Sequence, residues 1–363
     1  MKQMKIDKQD AARLVAWFDK NKRKLPWRDT GNPYDVWLSE VMLQQTRIEA
    51  VREKYILFQK ALPDIKSLAE VDDDVLMRLW EGLGYYNRAR NLKKCAQVIM
   101  NQYDGLMPSS YEELLSLPGF GPYTAGAVAS IAFGKAVPAV DGNVMRVLAR
   151  VFENRDDVRN VETKKMYENV IRTLFEENND PHFVSSFNQG LMELGEVICI
   201  PNGRALCEQC PFSSVCLTHK HGTYEEFPFR SAVKQRKQIS KTVAVIRNGD
   251  RFLVHKRKNK GLLAGMYEFM NIDKFLNQKE VIAYVNALGL EAIHVKKLPD
   301  SRHLFTHLEW NMKAYEVTVS QCYEALGDNC TFVNEEELDQ MAIPSAFHAY
   351  VDYYMLRNKG NSK

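Results

Sequence analysis

The stretch from Glu113 to Arg150, ELLSLPGFGPYTAGAVASIAFGKAVPAVDGNVMRVLAR, decides the fold. Glu113 to Leu117 closes one helix, Pro118-Gly119-Phe120-Gly121 is a tight turn, and Tyr123 to Phe133 reads as a second helix of small residues. The pattern is a helix-hairpin-helix. Both glycines are expected to take backbone angles closed to other residues, bringing the turn amides up to a phosphate at the positive end of the following helix. Gly119 and Gly121 are therefore candidate contacts to a nucleic-acid backbone, held without reading its sequence. A glycine turn between packed helices serves equally well as plain architecture. Further on, Pro138-Ala139-Val140-Asp141-Gly142-Asn143-Val144 sets a carboxylate at the start of a helix running from Asn143 to Phe152.

Outward from this stretch, apolar residues recur at helical spacing from Asp10 to about Thr218. Helices are expected at 10–21, 34–46, 47–61, 72–82, 86–103, 111–117, 122–133, 143–152, 161–178 and 182–198, making residues 1–220 an all-α domain. Residues 221–240 lose that period and read as an interdomain connector. From 241 to 363 the pattern is α+β. Lys241 to Lys256 is a hairpin about Asn248-Gly249-Asp250, strands continue through His303 to Val319, and helices are expected at Lys279–Leu288 and Ser345–Leu356.

With 363 residues, 45% hydrophobic and 26% charged, the chain can fill two separate cores. A net charge of +3 neither demands nor excludes nucleic acid, so attraction must come from clusters such as Lys20–Lys24 and Arg88–Lys94. The N-terminal residues lack the apolar core of a signal peptide and no stretch approaches a membrane span, so a cytoplasmic location is expected. Of seven cysteines, Cys199, Cys207, Cys210 and Cys216 form a C-x7-C-x2-C-x5-C set, too dense for a disulfide scaffold and suited to metal. The spacing accepts zinc or iron-sulfur. Cys95, Cys322 and Cys330 read as ordinary thiols.

Two carboxylates stand out. Glu40 has Val36, Trp37, Leu43 and Gln44 as helical neighbours, a mostly apolar setting that raises a carboxyl pKa and prepares a proton donor, unless it is an ordinary helix glutamate. Asp141 is either a plain N-cap or the second member of an acid pair of the kind glycosidases use.

LPGFGPYTAGAV followed by VDGNVMRVLAR resembles the hairpin and aspartate loop of the endonuclease III superfamily of DNA glycosylases, and within it the adenine glycosylases of the MutY family. The resemblance covers nearly the whole chain. It implies removal of adenine mispaired with 8-oxoguanine, or less well with guanine, from duplex DNA by a monomeric base excision repair enzyme. Glu40 would then be the general acid and Asp141 the ionised carboxylate beneath the sugar, with Asn143 and Tyr123 as polar partners. Gln45 and Tyr85 would be the wedge, and Arg23, Leu25, Trp27, Arg28 and Gln189 the adenine pocket. Tyr123 stands where strand-cleaving relatives carry a lysine, which implies a monofunctional glycosylase. The four cysteines would hold a 4Fe-4S cluster, although the first interval is one residue longer than is common in the family.

The C-terminal region resembles a Nudix domain in layout through Gly261 to Phe269, but its helix, Lys279-Glu280-Val281-Ile282-Ala283-Tyr284, lacks the paired glutamates that hold metals. A recognition module is expected, with Phe305, Thr306 and His307 inspecting 8-oxoguanine. Two rival readings stay open: a glycosylase/lyase for damaged pyrimidines, and a non-catalytic DNA-binding protein whose cysteines hold zinc.

Overall fold

A computed structural model describes residues 4–232, 235–321, 326 and 329–360; Cys322 lies outside them. The chain divides into two compact units, Met1–Val71 with Asn87–Ala232, and Asp72–Tyr86 with Val233–Lys363. The short segment 72–86, expected within the all-α domain, thus groups with the C-terminal residues.

The helices of the first 221 residues are α1 (Lys8–Asn21), α2 (Pro33–Leu43), α3 (Ile48–Ala61), α4 (Ile65–Glu70), α5 (Asp73–Leu79, in the second unit), α6 (Asn87–Gln102), α7 (Tyr111–Ser116), α8 (Pro122–Ile131), α9 (Gly142–Val151), α10 (Val161–Glu177), α11 (Pro181–Val197) and α12 (Leu217–His221). Their starts are written in the sequence. Asp7, Asn32, Ser110, Asp141 and Asp180 each accept a hydrogen bond from a first-turn amide, and Pro33, Pro122 and Pro181 occupy early positions where no amide donor is needed. Helix α4 was not expected; at six residues it is too short to show a period, and a capping box between Asp64 and Ser67 starts it.

Helix α9 is the hub, because every residue from Val144 to Val151 is buried. It packs with Ile171, Phe175, Phe187 and Leu191 of α10 and α11, each apolar side chain contributing roughly 1.5–3 kcal/mol. Two arginines on this buried helix serve backbone carbonyls. Arg146 donates to Gly195 O and Cys199 O, both at 2.8 Å, and Arg150 to Ile200 O at 2.9 Å and Phe227 O at 3.0 Å. The loop after α11 is thereby tied to α9. Two glycines make the close approaches possible: a Cβ on Gly126 of α8 would sit 2.3 Å from Pro138 O, and one on Gly195 of α11 would sit 2.6 Å from Asn143 Cβ.

The hairpin turn corrects one expectation. Gly119 has φ +80°, and a Cβ there would meet Asn91 Cβ at 2.7 Å, but Gly121 has an ordinary φ of −104° as N-cap of α8. Only the first glycine is required by the backbone. A second correction concerns Arg88, which is buried and donates to the carbonyls of Val41, Met42 and Gln44 at 2.7–2.8 Å, so this member of the expected basic cluster stitches the end of α2.

The second unit is built on a six-stranded sheet in the order β4-β5-β1-β3-β2-β6, with β1 (Lys237–Asn248), β2 (Arg251–Lys256), β3 (Tyr267–Ile272), β4 (Ala292–Leu304), β5 (Leu308–Val319) and β6 (Cys330–Val333). β1 runs parallel to β5; the other described pairings are antiparallel. β1 begins inside the stretch expected to be connector, and pairs with β2 across Gly249 and Asp250 as the Asn-Gly turn implies. Alternate residues of β1 feed two cores, Val243 and Val245 on one face, Ala244 and Ile246 on the other. Helices α14 (Glu335–Gln340) and α15 (His348–Gly360) cover the first face and α13 (Gln278–Ala287) the second. The fold is therefore an all-helical hairpin-bearing region followed by an α+β Nudix-like domain. Among the described residues no helix is long and apolar enough to cross a membrane.

Candidate active site

Helices α2, α8, α9 and α11 converge on a cleft of about 1540 Å³ in the first unit. Glu40 reaches it from α2, Tyr123 from the first turn of α8, and Asp141 and Asn143 from the start of α9. The hairpin fixes this convergence: Phe120, at its turn, stacks on Trp37 of α2 with centroids 5.7 Å apart, three residues before Glu40. The loop carrying Asp141 is pinned by buried Asn188, which accepts from Ala139 N at 3.1 Å and donates to Val137 O at 2.9 Å.

The Tyr123 hydroxyl donates to Glu40 Oε2. Burial pushes the Glu40 carboxyl up to about 7; the tyrosine bond opposes this rise, nearby Asp141 adds to it, and Arg28 opposes it. Asp141 is also pushed up by burial, but its charged form has more support. It accepts from Val144 N at 2.8 Å and Asn143 Nδ2 at 2.9 Å, with Arg146 nearby. Asp141 is thus both N-cap and cleft residue, so the two sequence readings of it coexist.

The pocket candidates also line the cleft: Arg23, Leu25, Trp27, Arg28, Gln45 and Gln189. Their polar groups are partly committed. Arg23 donates to Glu193 from Nε at 2.7 Å, Arg28 donates to the same carboxylate at 3.0 Å, and Gln189 donates to Ser185 Oγ at 3.2 Å. Trp27 packs edge-on against Tyr55. Glu193, 1% exposed, is held below the usual carboxylate range because the hydrogen bonds and charges of Arg23 and Arg28 outweigh its burial. Gln45 is exposed with φ +58°, a left-handed conformation that costs a non-glycine residue about 1–2 kcal/mol. Arg88, holding the carbonyls just before it, keeps that conformation in place.

Sequence reasoning overlooked Glu193 and Glu196. The signal was the helical period: Gln189, Met192, Glu193 and Glu196 fall at i, i+3, i+4 and i+7 of α11, and all four line the cleft. Gly119 and Gly121 are not among the lining residues.

Tyr85 and the Phe305-Thr306-His307 turn belong to the second unit. The turn joins β4 to β5. Phe305 lies edge-on to His303 at 4.6 Å and to Trp310 at 4.8 Å, leaving Thr306 and His307 exposed. The Tyr85 and Thr306 hydroxyls are 2.7 Å apart, and Tyr85 itself has φ +47°, directly after Gly82 and Gly84, which also have positive φ. Within the second unit Tyr85 is thus held beside the turn.

Cys199, Cys207, Cys210 and Cys216 line one further cavity against α9, all as free thiols. Among the described residues no group of three or more His, Cys, Asp or Glu is arranged to hold a single metal ion. Four sulfurs around a shared cavity are a donor set that zinc and iron-sulfur both accept, and Arg150 already donates to Cys199 Sγ at 3.3 Å.

Residues 38–177 match the HhH-GPD superfamily of base excision DNA repair proteins, and residues 242–353 match a NUDIX domain. The chain is 30% identical over 409 residues to an adenine DNA glycosylase of Homo sapiens, covering 96% of this chain and 74% of that protein. It is 32% identical over 295 residues to an adenine DNA glycosylase of Buchnera aphidicola, covering 81% and 82%. Among solved structures, a thermostable thymine-DNA glycosylase superposes with TM-score 0.51 at 29% identity, covering 58% of this chain and 95% of that one.

Proposed function

The chain belongs to the adenine DNA glycosylase family of base excision repair enzymes, which hydrolyse N-glycosyl bonds in DNA, and from that premise we propose that its substrate is adenine mispaired with 8-oxoguanine, and less well with guanine, in duplex DNA. Glu40, protonated up to about pH 7, gives its proton to N7 of the extruded adenine. The C1′–N9 bond then breaks, its electron pair leaving with the base. Asp141 faces the resulting sugar cation in its ionised form, which Val144 N and the Asn143 amide favour. Water adds to C1′ and passes a proton to the Glu40 carboxylate, restoring the acid. Tyr123 holds Glu40 in place and offers no amine for a Schiff base, so the enzyme is monofunctional.

Leu25, Trp27, Arg28 and Gln189 enclose the base, with Arg23 fastening that wall through Glu193. Gln45 enters the space the adenine leaves. Phe305, Thr306 and His307, with Tyr85 beside them, address the opposite base, and the hydroxyl of Thr306 accepts from the N7–H that 8-oxoguanine has and guanine lacks. Gly119 and Gly121 meet the DNA backbone. The endonuclease III-like family usually carries an iron-sulfur centre, and Cys199, Cys207, Cys210 and Cys216 would hold a 4Fe-4S cluster here. What such a cluster supplies is a cross-link between the end of α11 and α12. The enzyme acts as a monomer in the cytoplasm, where its thiols stay reduced.

The observation that carries the reading is the meeting of Glu40 and Asp141 in one cleft, with Tyr123 bonded to the first and Asn143 to the second. Single-turnover assays with adenine opposite 8-oxoguanine, adenine opposite guanine, and thymine glycol test it. Adenine release fastest opposite 8-oxoguanine, with no borohydride-trapped enzyme, is expected; release of thymine glycol with a trapped adduct would overturn it.

A further inference from the structure

Asn143 has two amide hydrogens, and both are used. One goes to Asp141 Oδ2 and the other to Glu196 Oε1, each at 2.9 Å, while its oxygen accepts from Arg146 at 2.8 Å. The amide is therefore locked, with its orientation fixed by an acceptor on one side and a donor on the other. Without Glu196 the second hydrogen faces the cleft, and the amide keeps only Asp141 and Arg146 to hold it in that orientation.

Glu196 is also expensive where it stands. It is exposed on α11 and lines the cleft, where a carboxylate repels the phosphates that a DNA-binding surface must attract. Its charge is felt by Tyr123 as well. A negative group that weakens binding of a polyanion yet borders the reacting sugar favours the state in which that sugar is positive.

We propose that Glu196 is a positioning residue for the glycosylase reaction: it holds the Asn143 amide on Asp141 and adds negative potential to the side of the cleft where the sugar cation forms. The inference rests on the adenine glycosylase reading above. Glu196→Ala loses both the hydrogen bond and the charge, whereas Glu196→Gln keeps an acceptor for Asn143. The alanine variant should release adenine about tenfold more slowly in single turnover, as expected for a lost hydrogen bond to a charged group, and the glutamine variant should recover part of that loss.

Two binding measurements separate this role from a structural one. Both variants should bind a duplex carrying a cationic pyrrolidine abasic analogue more weakly than the parent, by about the factor lost in rate. A duplex with the neutral tetrahydrofuran analogue should bind as tightly or more tightly, since a phosphate-repelling charge is gone. Rates within twofold of the parent, or equal weakening toward both analogues, would overturn the role of Glu196 while leaving adenine release by the parent intact. A parent that releases no adenine would overturn the underlying reading and this inference together.

Discussion

Replacing Glu40 by glutamine removes a titrating proton while preserving size and an acceptor for Tyr123. Burial lifts this carboxyl from 4.5 to about 7. At about 1.4 kcal/mol for each tenfold change in proton affinity, ionising Glu40 costs the folded state about 3.5 kcal/mol, trimmed to about 2 kcal/mol because the side chain is still partly open to the cleft. The sign follows from the direction of the shift. The folded state holds this proton more tightly than the unfolded chain, so the proton's contribution is fully present below about 4.5 and is lost as pH rises through about 7. Glutamine cannot lose it. The variant should therefore melt close to the parent at pH 5 but about 4–8 °C above it at pH 8, for a helical unit of this size. Thermal melts followed by helical circular dichroism, parent and variant side by side across that range, measure the difference. A gap independent of pH, or a parent more stable at pH 8, would refute the idea that Glu40 is a strained acid whose proton is stored for chemistry.

The other consequences are local. Tyr123→Phe removes a bond that lowers the Glu40 pKa, so the alkaline limb of the excision profile should move upward in pH even as the rate drops; an unmoved limb would show the bond to be idle. Alanine at Phe305, Thr306 and His307 together should cut the preference for 8-oxoguanine over guanine more than the maximal rate, and an unchanged ratio of the two rates would rule out sensing by that turn. The purified parent should show visible iron-sulfur absorption and Cys207→Ala should abolish it; retained colour in the variant would remove that cysteine from the ligand set. Gly126→Ala would put a methyl group 2.3 Å from Pro138 O, and should cost about 3 kcal/mol or more in stability, read from denaturant midpoints; a neutral substitution would mean that α8 can recede from the Asp141 loop.

Much of this was legible because the signals are local. Caps such as Asn32 and Ser110, the Gly-containing hairpin and the Asn-Gly turn are each set within a few residues, and they mark α2, α7, α8 and the β1–β2 hairpin directly. The Glu40 environment could be read from its own helical neighbours. What was not legible depends on packing between distant segments. Nothing near Arg88 in sequence says that its guanidinium will close the end of α2 rather than face DNA. Likewise Glu193 looks like a surface acid until Arg23 and Arg28 arrive from 170 and 165 residues away. The helix expected at 72–82 reads as one more of the first domain, yet segment 72–86 packs in the second unit through Asp74, bonded to Lys256 at 2.7 Å and to Tyr267 at 3.3 Å. The glycine pair of the hairpin shows the same limit, since composition marked both Gly119 and Gly121 but only the backbone showed which one needs to be glycine.

The most direct test of the paired carboxylates is the pH dependence of single-turnover adenine release from a duplex in which it faces 8-oxoguanine. With Glu40 required in its protonated form, the rate should fall about tenfold per pH unit above roughly 7, and fall again on the acid side as Asp141 takes up its proton. A rate that stays level or climbs from pH 6 to 9 would contradict the assignment of Glu40 as the proton donor.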